Sequence, residues 1–328
     1  MQVILRETEE VSPGGEITSV HLQPRACSGL QTNEPAQSTK AALRKFVAET
    51  NIQLQAMPDE LVDLLIKYGN NPDGIPALHA AIKAKDENAV RLFLLHGANP
   101  NSKSRGDIPL NPESPLYALD YAAAYGNAAI VNLLIDAGAT VNPLPILLDD
   151  NIYQPCTPLI FAAGNNNSET ILALVHKGAN MFCECGNSVL TPLHHAARHN
   201  KLGAIKTLIT LGVPVDLIGG YEKLTPLMCL LEISIDPESI IPSVEFLLEA
   251  GAKPNCKTVN GFNLLMLLIF RRFDDRRTTK LAKLFVDYGV DVNATFSDHT
   301  VLYFLKQNWN NMYPQLIALL ESLGAVAK

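Results

Sequence analysis

The stretch Thr191-Pro192-Leu193-His194-His195-Ala196-Ala197 decides the fold of this 328-residue chain. Thr191 is suited to cap a helix, because its hydroxyl can accept a hydrogen bond from a free backbone N–H group. Pro192 fits the first helical position, where its missing N–H leaves no bond unmade. Ala196 and Ala197 are small enough to let a neighbouring helix approach. The stretch therefore predicts a short helix that begins at Pro192 and packs closely on another helix.

A second helical segment follows this first one. Apolar side chains recur at helical spacing in Ile205, Leu208, Ile209 and Leu211, and Gly212 can adopt the positive φ that ends a helix. Two short helices cannot bury their own apolar faces. We therefore expect the pair to stack against neighbouring pairs of the same kind.

The same pattern returns along most of the chain. Each copy ends in a Gly-Ala or Gly-Val pair, and the glycines follow one another at intervals of about 34 to 41 residues: Gly97, Gly138, Gly178, Gly212, Gly251, Gly289 and Gly324. Weaker copies of the opening stretch place a leucine at the position of Leu193: Leu78, Leu119, Leu159, Leu227, Leu264 and Leu302. Seven copies in one phase indicate a repeat architecture.

The opening stretch resembles the Thr-Pro-Leu-His-x-Ala signature of the ankyrin repeat, whose period is roughly 33 residues. This resemblance covers roughly residues 60–328. It implies an all-α ankyrin-repeat solenoid, in which stacked helix pairs are joined by β-hairpin-like fingers. It also implies a concave surface, formed by the fingers and the first helices, that binds other proteins. We therefore expect a non-enzymatic scaffold that binds a protein partner.

The repeats suggest three parts of the chain. Residues 74–328 are expected to form a solenoid of about seven repeats, and residues 40–73 a degenerate N-terminal capping repeat with helices at 41–49 and 60–68. Residues 1–39 are expected to be a tail, in which Val3–Leu5 and Ile17–Leu22 are candidates for a small hairpin.

Spacing between the markers varies in two ways. The last three helix pairs are longer than the first four, and we expect enlarged turns at Ile235–Glu238 and Phe273–Arg276, because proline and paired aspartates favour turns. The fingers at 99–114 and 140–156 are longer than the others. They are either functional loops displayed by a rigid stack or tolerated insertions, and both interpretations remain open.

The charge and the apolar segments exclude several classes of function. The formal net charge of −7 repels nucleic acid and anionic lipid, and the longest apolar run, Leu264–Phe270, is far shorter than the about 20 residues of a membrane span. An acidic N-terminus does not suit a signal peptide. Six cysteines are too sparse for a disulfide scaffold, so we expect a reduced, cytoplasmic monomer. A host-directed effector secreted by an intracellular bacterium remains an alternative.

Enzyme and metal chemistry are not indicated. Common phosphate-binding, zinc-protease, serine-hydrolase and kinase motifs are absent from the sequence, so we expect no catalytic residue and no cofactor. A rival hypothesis places an active site in the tail or the long fingers, around Asp107, Asp149 or Asp150. His195 and His199 could chelate zinc with Cys183 or Cys185, but a Cys-x-Cys spacing is not typical of structural zinc sites, so we expect no metal.

Candidate partner contacts follow from the resemblance. They are the two residues after the alanine pair of each first helix and the finger residues just before the signature threonine. Aromatic and arginine side chains dominate interface hot spots, and Ile269 is also expected on this face. The alternative for each aromatic residue is packing on the adjacent finger. The predicted partner-binding residues are Tyr125, Tyr153, Gln154, Arg198, His199, Tyr221, Glu222 and Phe270.

Overall fold

The computed structural model describes residues 9–11, 17–20, 59–69, 75–104, 116–125, 127–144, 146–148, 151–153, 156–185, 189–232, 237–271 and 273–328. The predicted strand at 3–5 and the predicted helix at 41–49 lie outside the described residues. Chain contacts divide the structure into two compact units. One unit comprises residues up to Ala118 with Asp136–Ala139, and the other comprises Leu119–Ile135 with Thr140–Lys328.

The described residues of the first unit form an N-terminal hairpin, three helices and a second hairpin. Its elements are β1 (Glu9–Val11), β2 (Ile17–Val20), α1 (Asp59–Gly69), α2 (Ala77–Lys83), α3 (Glu87–Leu95), β3 (Lys103–Ser104) and β4 (Leu116–Tyr117). Strands β1 and β2 are antiparallel, as are β3 and β4. Helix α1 packs on α2 and α3.

The Asp86 carboxylate joins the end of α1 to the start of α3. Asp86 Oδ1 accepts the Ala89 backbone N–H at 3.0 Å and so caps α3, while Oδ2 accepts the Tyr68 hydroxyl at 2.6 Å. The Tyr68 hydrogen bond is the main cause that lowers the pKa of Asp86. The end of α1 is thereby held at the start of α3.

The second unit is built from helix pairs. Helices α4 (Ala118–Tyr125) and α5 (Ala128–Asp136) lie mainly in it. The remaining elements are β5 (Ile146–Leu148), β6 (Asn151–Tyr153), α6 (Pro158–Gly164), α7 (Ser168–His176), α8 (Pro192–Arg198), α9 (Leu202–Thr210), α10 (Pro226–Leu231), α11 (Pro237–Glu249), α12 (Leu264–Phe270), α13 (Asp275–Asp287), β7 (Thr295–Phe296), β8 (His299–Thr300), α14 (Val301–Asn308) and α15 (Pro314–Ser322).

These helices form two rows. The first helices α6, α8, α10 and α12 pack side by side, and the second helices α7, α9, α11, α13 and α15 form the other row. Leu193 of α8 and Leu208 of α9 are both fully buried where the rows meet. The structure therefore has the predicted stacking of helix pairs, which buries apolar faces that no single pair could bury alone.

The start of α8 differs from the prediction. Thr191 has the extended backbone of a capping residue, but its hydroxyl does not cap the helix. His194 Nε2 donates a hydrogen bond to the Leu224 carbonyl at 3.0 Å, so Nδ1 of this buried ring accepts the Thr191 hydroxyl proton at 2.7 Å. In the next repeat Thr225 does cap α10, by accepting the Met228 N–H. At α8 the Thr191 hydroxyl is therefore bonded to the buried His194 ring instead of to the free N–H groups of the helix start.

The predicted enlarged turns account for only a small part of the extra length. Residues 232–236 separate α10 from α11 and residues 271–274 separate α12 from α13, against residues 199–201 between α8 and α9. Helices α11 and α13 each have 13 residues, against nine in α7 and α9. Pro237 is the first residue of α11, and Asp274 caps α13 by accepting the Arg277 N–H at 3.0 Å. Proline and aspartate act here as helix starters, so most of the extra residues lengthen the second helix.

The sixth copy is displaced by one residue from the predicted register. Asn263 caps α12, because its Oδ1 accepts the Met266 N–H at 2.9 Å. Leu265, rather than Leu264, therefore stands two residues after the cap, as Leu193 does in α8. Ile269 was expected on the exposed face and is only 1% exposed.

Asparagines tie the bases of neighbouring fingers together. Asn142 Nδ2 donates to the Gly178 carbonyl, and its Oδ1 accepts the Asn180 N–H, both at 2.9 Å. Asn255 makes the same two bonds to Gly289 and Asp291. Asn293 makes them to Gly324 and Val326. We call Asn142, Asn255 and Asn293 the amide ladder.

The ladder is interrupted after α7. Phe182 stands four residues after Gly178, where the ladder has asparagine, and its side chain is 48% exposed. Pro214 stands where Asn180 and Asp291 supply an N–H, and proline has none to supply. At this joint the asparagine that accepts and the backbone N–H that donates are thus both replaced.

Side chains also link the second helices. Asp275 accepts the backbone N–H groups of Gln315 and Leu316, at 2.7 and 3.0 Å, at the start of α15. Asn166 Oδ1 accepts the Ala204 N–H at 2.9 Å, within the first turn of α9. Each of these side chains accepts backbone N–H groups that have no partner within the first turn of a helix in the following repeat.

Candidate functional site

The ends of the first helices form a row of charged and aromatic side chains. Arg198 ends α8, Glu232 follows α10 and Phe270 ends α12, so the three occupy the same position in consecutive repeats. We call Arg198, Glu232, Phe270 and Arg271 the inner row. Arg198 Nε lies 3.8 Å from Glu232 Oε2, with both side chains partly exposed. The predicted residues Arg198 and Phe270 therefore belong to one surface.

Two arginines flank the single carboxylate of the inner row. Burial raises the pKa of Glu232, and the positive charges of Arg198 and then Arg271 oppose that rise. The row therefore carries an excess of positive charge in a chain whose net charge is −7.

Two histidines lie beside the inner row. The rings of His195 and His199 stack with centroids 6.3 Å apart and planes 15° apart. Burial lowers the pKa of both, with Lys201 and Arg198 adding to the effect at His199, and the pKa of His195 falls to about 4. At pH 7 His195 is therefore neutral, and it packs on His199 without adding charge.

An aromatic surface adjoins the inner row. It consists of Phe262, Phe270, Phe296, Phe304 and Trp309. The Phe270 ring centroid lies 5.2 Å from that of Phe262 and 5.7 Å from that of Trp309. Phe296 lies 4.4 Å from Phe262 and 6.1 Å from Phe304. None of these rings is fully buried, and Phe270 is 43% exposed.

The finger at 213–225 presents two predicted contacts on a braced backbone. Gly219 and Leu224 exchange two backbone hydrogen bonds, and Gly220 N–H donates to the Val189 carbonyl of the preceding finger. The Glu222 carbonyl accepts the Val259 N–H of the following finger at 3.0 Å. Tyr221 is 77% exposed and the Glu222 side chain is exposed. A fixed backbone with a projecting tyrosine suits an interface contact.

The other predicted residues are less clearly placed. Tyr125 is half-buried, and its ring centroid lies 6.0 Å from that of Tyr121 in the same helix. Tyr153 ends β6, opposite Ile146 of β5. Gln154 lies outside the described residues, as do Asp107, Asp149 and Asp150 of the enzyme hypothesis.

Sequence reasoning missed much of the aromatic surface. Phe262, Phe296 and Phe304 alternate with polar residues in fingers or lie where the repeat signature is weak. Trp309 is the only tryptophan of the chain, which was a usable signal. Arg271 is absent from the predicted contacts because the predicted register of the sixth copy is displaced by one residue.

The structure corrects the prediction for the cysteines. Cys156 and Cys185 form a disulfide, with their Cα atoms 4.8 Å apart, so the expectation of an entirely reduced chain is wrong for this pair. Cys183, Cys229 and Cys256 are free thiols. Within the described ranges, no three His, Cys, Asp or Glu side chains are grouped so as to hold a metal ion. No helix in those ranges is long and apolar enough to cross a membrane.

Comparison with known proteins identifies the repeats. The family model for ankyrin repeats matches in three copies, over residues 53–144, 119–218 and 159–257, which together cover more than half of the chain. The B-cell lymphoma 3 protein homolog of Mus musculus is 24% identical over 200 residues, or 60% of this chain and 40% of that protein. The SH3 and multiple ankyrin repeat domains protein 2 of Homo sapiens is 37% identical over 120 residues, or 35% of this chain and 6% of that protein.

The chain thus spans less than half the length of these two relatives. The crystal structure of the ankyrin repeat domain of Bcl-3 superposes with a TM-score of 0.53 at 20% identity, covering 74% of this chain and 97% of that one. This likeness shows the fold, and ankyrin repeats are protein–protein interaction modules. The predicted all-α ankyrin-repeat fold is confirmed, and the chain belongs to the ankyrin repeat family.

Proposed function

We propose that this chain is a non-enzymatic scaffold that binds a protein partner through the inner row, the aromatic surface and the fingers. The observation that carries the proposal is the aromatic surface, in which five partly exposed rings form a chain with neighbouring centroids 4.4 to 6.1 Å apart. Exposed rings in contact with one another offer large apolar area at little cost in rotamer entropy. Such clusters are typical of interface hot spots.

The charges favour one kind of partner. Arg198 and Arg271 flank Glu232 at the edge of the aromatic surface. A partner segment with an apolar side chain for the rings and an acidic side chain for the arginines would satisfy both features. Tyr221 extends the surface onto the finger at 213–225, and Tyr153 and Gln154 are proposed contacts of the finger before α6.

The remaining parts of the proposal concern organisation and location. We place an N-terminal tail at 1–39, a capping repeat at 40–73 and about seven repeats at 74–328, acting as a cytoplasmic monomer without a cofactor. The net charge of −7 supports binding to protein rather than to nucleic acid or a lipid surface.

Trp309 provides the test, because it is the only tryptophan and it contacts Phe270. Proteins captured from lysate by the wild-type chain are identified by mass spectrometry, and each is titrated into purified chain while tryptophan emission is followed. We expect a saturable change in emission, and an affinity at least tenfold weaker in Phe270→Ala and in Tyr221→Ala.

Leu172→Ala is the matched control, because Leu172 is an exposed apolar residue of the second-helix row. It should bind as the wild type does. Equal affinities for the wild type, Phe270→Ala and Tyr221→Ala would reject the proposed surface.

A further inference from the structure

Three cysteines lie in the two neighbouring fingers at the start of α6, two of them bonded to each other and the third beside Thr157. Cys156 immediately precedes Thr157, the capping residue of α6, and is bonded to Cys185 of the following finger. Cys183 Sγ lies 3.1 Å from the Thr157 hydroxyl oxygen. Because alternate residues of an extended chain face the same side, Cys183 and Cys185 both face the Cys156–Thr157 segment.

An imidazole lies against one sulfur of this disulfide. His195 Nε2 is 3.5 Å from Cys185 Sγ. A disulfide sulfur carries no proton, so the imidazole is the donor and its proton is on Nε2. The other nitrogen, Nδ1, is then the unprotonated one, and it is buried without a hydrogen-bond partner. The ring is neutral at pH 7, because burial lowers its pKa to about 4.

The two bonded sulfurs differ in access and in surroundings. Cys156 is half-buried, whereas Cys185 is only 2% exposed. An incoming thiolate therefore reaches Cys156 more readily. The sulfur displaced by such an attack is that of Cys185, which has an N–H donor already in place to stabilise its negative charge.

We propose that Cys156 is the shared sulfur of an exchangeable disulfide, which pairs with Cys185 or with Cys183. The thiolate of a low-molecular-weight thiol such as glutathione attacks Cys156 Sγ. A mixed disulfide forms, the bond to Cys185 breaks, and Cys185 leaves as a thiolate that accepts the His195 Nε2–H.

In the second step Cys183 loses its proton to solvent and attacks the same sulfur of Cys156. The small thiolate is expelled, and the product is a Cys156–Cys183 disulfide with Cys185 as a free thiol. One disulfide replaces another, so no net oxidation occurs. Burial raises the pKa of Cys183, which keeps it a thiol while Cys185 holds the bond.

The exchange changes how two fingers are joined. Moving the bond from Cys185 to Cys183 shifts the point of attachment by two residues, or about 6–7 Å of extended chain. Strand β6 of the finger before Cys156 ends at Tyr153. The exchange therefore changes which residue of the following finger is bonded to Cys156.

Disulfide mapping on the full chain tests the exchange. The protein is equilibrated in buffers of reduced and oxidised glutathione, quenched with acid, alkylated and analysed by peptide mass spectrometry. The wild type should show Cys156–Cys185, and Cys185→Ser should show Cys156–Cys183. Cys183→Ser should retain Cys156–Cys185, and Cys256→Ser is the control that should match the wild type.

Two results would overturn the proposal. A wild type that is fully alkylated in oxidised glutathione has no linkage to exchange. A Cys185→Ser chain in which Cys156 is alkylated, or carries only glutathione, lacks the second pairing.

The positioning role of His195 has a separate readout. The rate at which dithiothreitol opens the wild-type disulfide is compared with the rates in His195→Gln and His195→Leu. Glutamine keeps an N–H donor, so its rate should be close to that of the wild type, whereas leucine should slow opening about tenfold. Circular dichroism shows that each variant is folded before the rate is taken. Equal rates in the leucine variant and the wild type would remove His195 from the mechanism.

Discussion

The finger joint at Asn255 and the finger joint at Phe182 are held in different ways. At the first, one amide side chain bonds both Gly289 and Asp291 of the next finger. At the second, Phe182 and Pro214 occupy the two bonding positions, and the next finger is held instead by His194, which bonds the Leu224 carbonyl, and by Gly220, which bonds Val189. Repeats that share one fold thus use polar contacts at one joint and a buried ring at another.

The difference matters because the stability of a repeat protein is approximately a sum of neighbour terms. A joint that depends on exposed amides loses little when one amide is removed. A joint that depends on a tightly enclosed histidine is sensitive to added volume and to acid. The two joints should therefore respond to different perturbations.

Adding volume at Gly219 should have the largest effect. A Cβ atom placed there would lie 2.6 Å from Cε1 of the buried His194 ring, which has no room to move while it bonds Thr191 and Leu224. Gly219→Val should lower the free energy of unfolding by about 3–4 kcal/mol in urea denaturation. Tyr221→Ala, on the same finger but exposed, should change it by less than about 0.5 kcal/mol. A Gly219→Val chain as stable as the wild type would show that His194 is not tightly enclosed.

Acid should weaken the repeat that contains the buried histidines, because burial lowers the pKa of both His194 and His195. The pKa of His195 is lowered by burial from 6.5 to about 4 in the folded chain. Between these values the unfolded chain binds the additional proton, so stability is present above pH 6.5 and is lost as the pH falls towards 4. The loss for this residue is about 2–3 kcal/mol.

The measurement is urea unfolding of the wild type and His195→Gln at pH 7 and pH 4.5. The variant should lose less stability on acidification than the wild type does. Identical pH dependence in the two proteins would mean that His195 is not the group responsible.

Removing one ladder amide should have a smaller effect. Asn255→Ala deletes two hydrogen bonds at an exposed site, and water can replace them at Gly289 and Asp291. We expect a loss of about 1 kcal/mol in the free energy of unfolding. Asn142→Ala removes the equivalent pair of bonds and should cost the same. A loss as large as that of Gly219→Val would contradict the distinction between the joints.

Restoring the missing amide should have the smallest effect. Phe182→Asn should change the free energy of unfolding by less than about 0.5 kcal/mol, because Pro214 has no N–H to donate to the new amide. Phe182→Asn combined with Pro214→Ala supplies both groups. In a double-mutant cycle the combination should be more stable than the sum of the single changes by about 0.5–1 kcal/mol. Strict additivity would show that the two residues are not paired.

The sequence predicted the helix pairs wherever a marker was strong. Thr191-Pro192 and Thr225-Pro226 place the starts of α8 and α10 correctly, because proline is compatible with only the first turn of a helix. The predicted register of the sixth repeat is displaced because Asn263, and not a Thr-Pro pair, precedes its first helix. An asparagine cap is not followed by a characteristic residue that would mark it in the sequence. Pro237 and Asp274 were interpreted as turn residues although the same residue types also start helices.

Contacts between fingers were not accessible from sequence alone. Cys156 and Cys185 are 29 residues apart, and only the stacking of neighbouring repeats brings them together. The aromatic surface has the same origin, since Phe262, Phe296 and Trp309 come from different segments. The inner row could be anticipated in part because position within a repeat is readable, and Arg198 and Phe270 share that position.

Asp275 bears on how this chain could be cut and rejoined. Its carboxylate lies at the start of α13, yet it accepts the first free N–H groups of α15. A splice that follows the glycine markers would separate α15 from this acceptor and expose two unbonded donors at the new terminus. A shortened or recombined version that contains α15 should therefore also keep Asp275 from the repeat before it. The structural unit is thus offset from the sequence repeat.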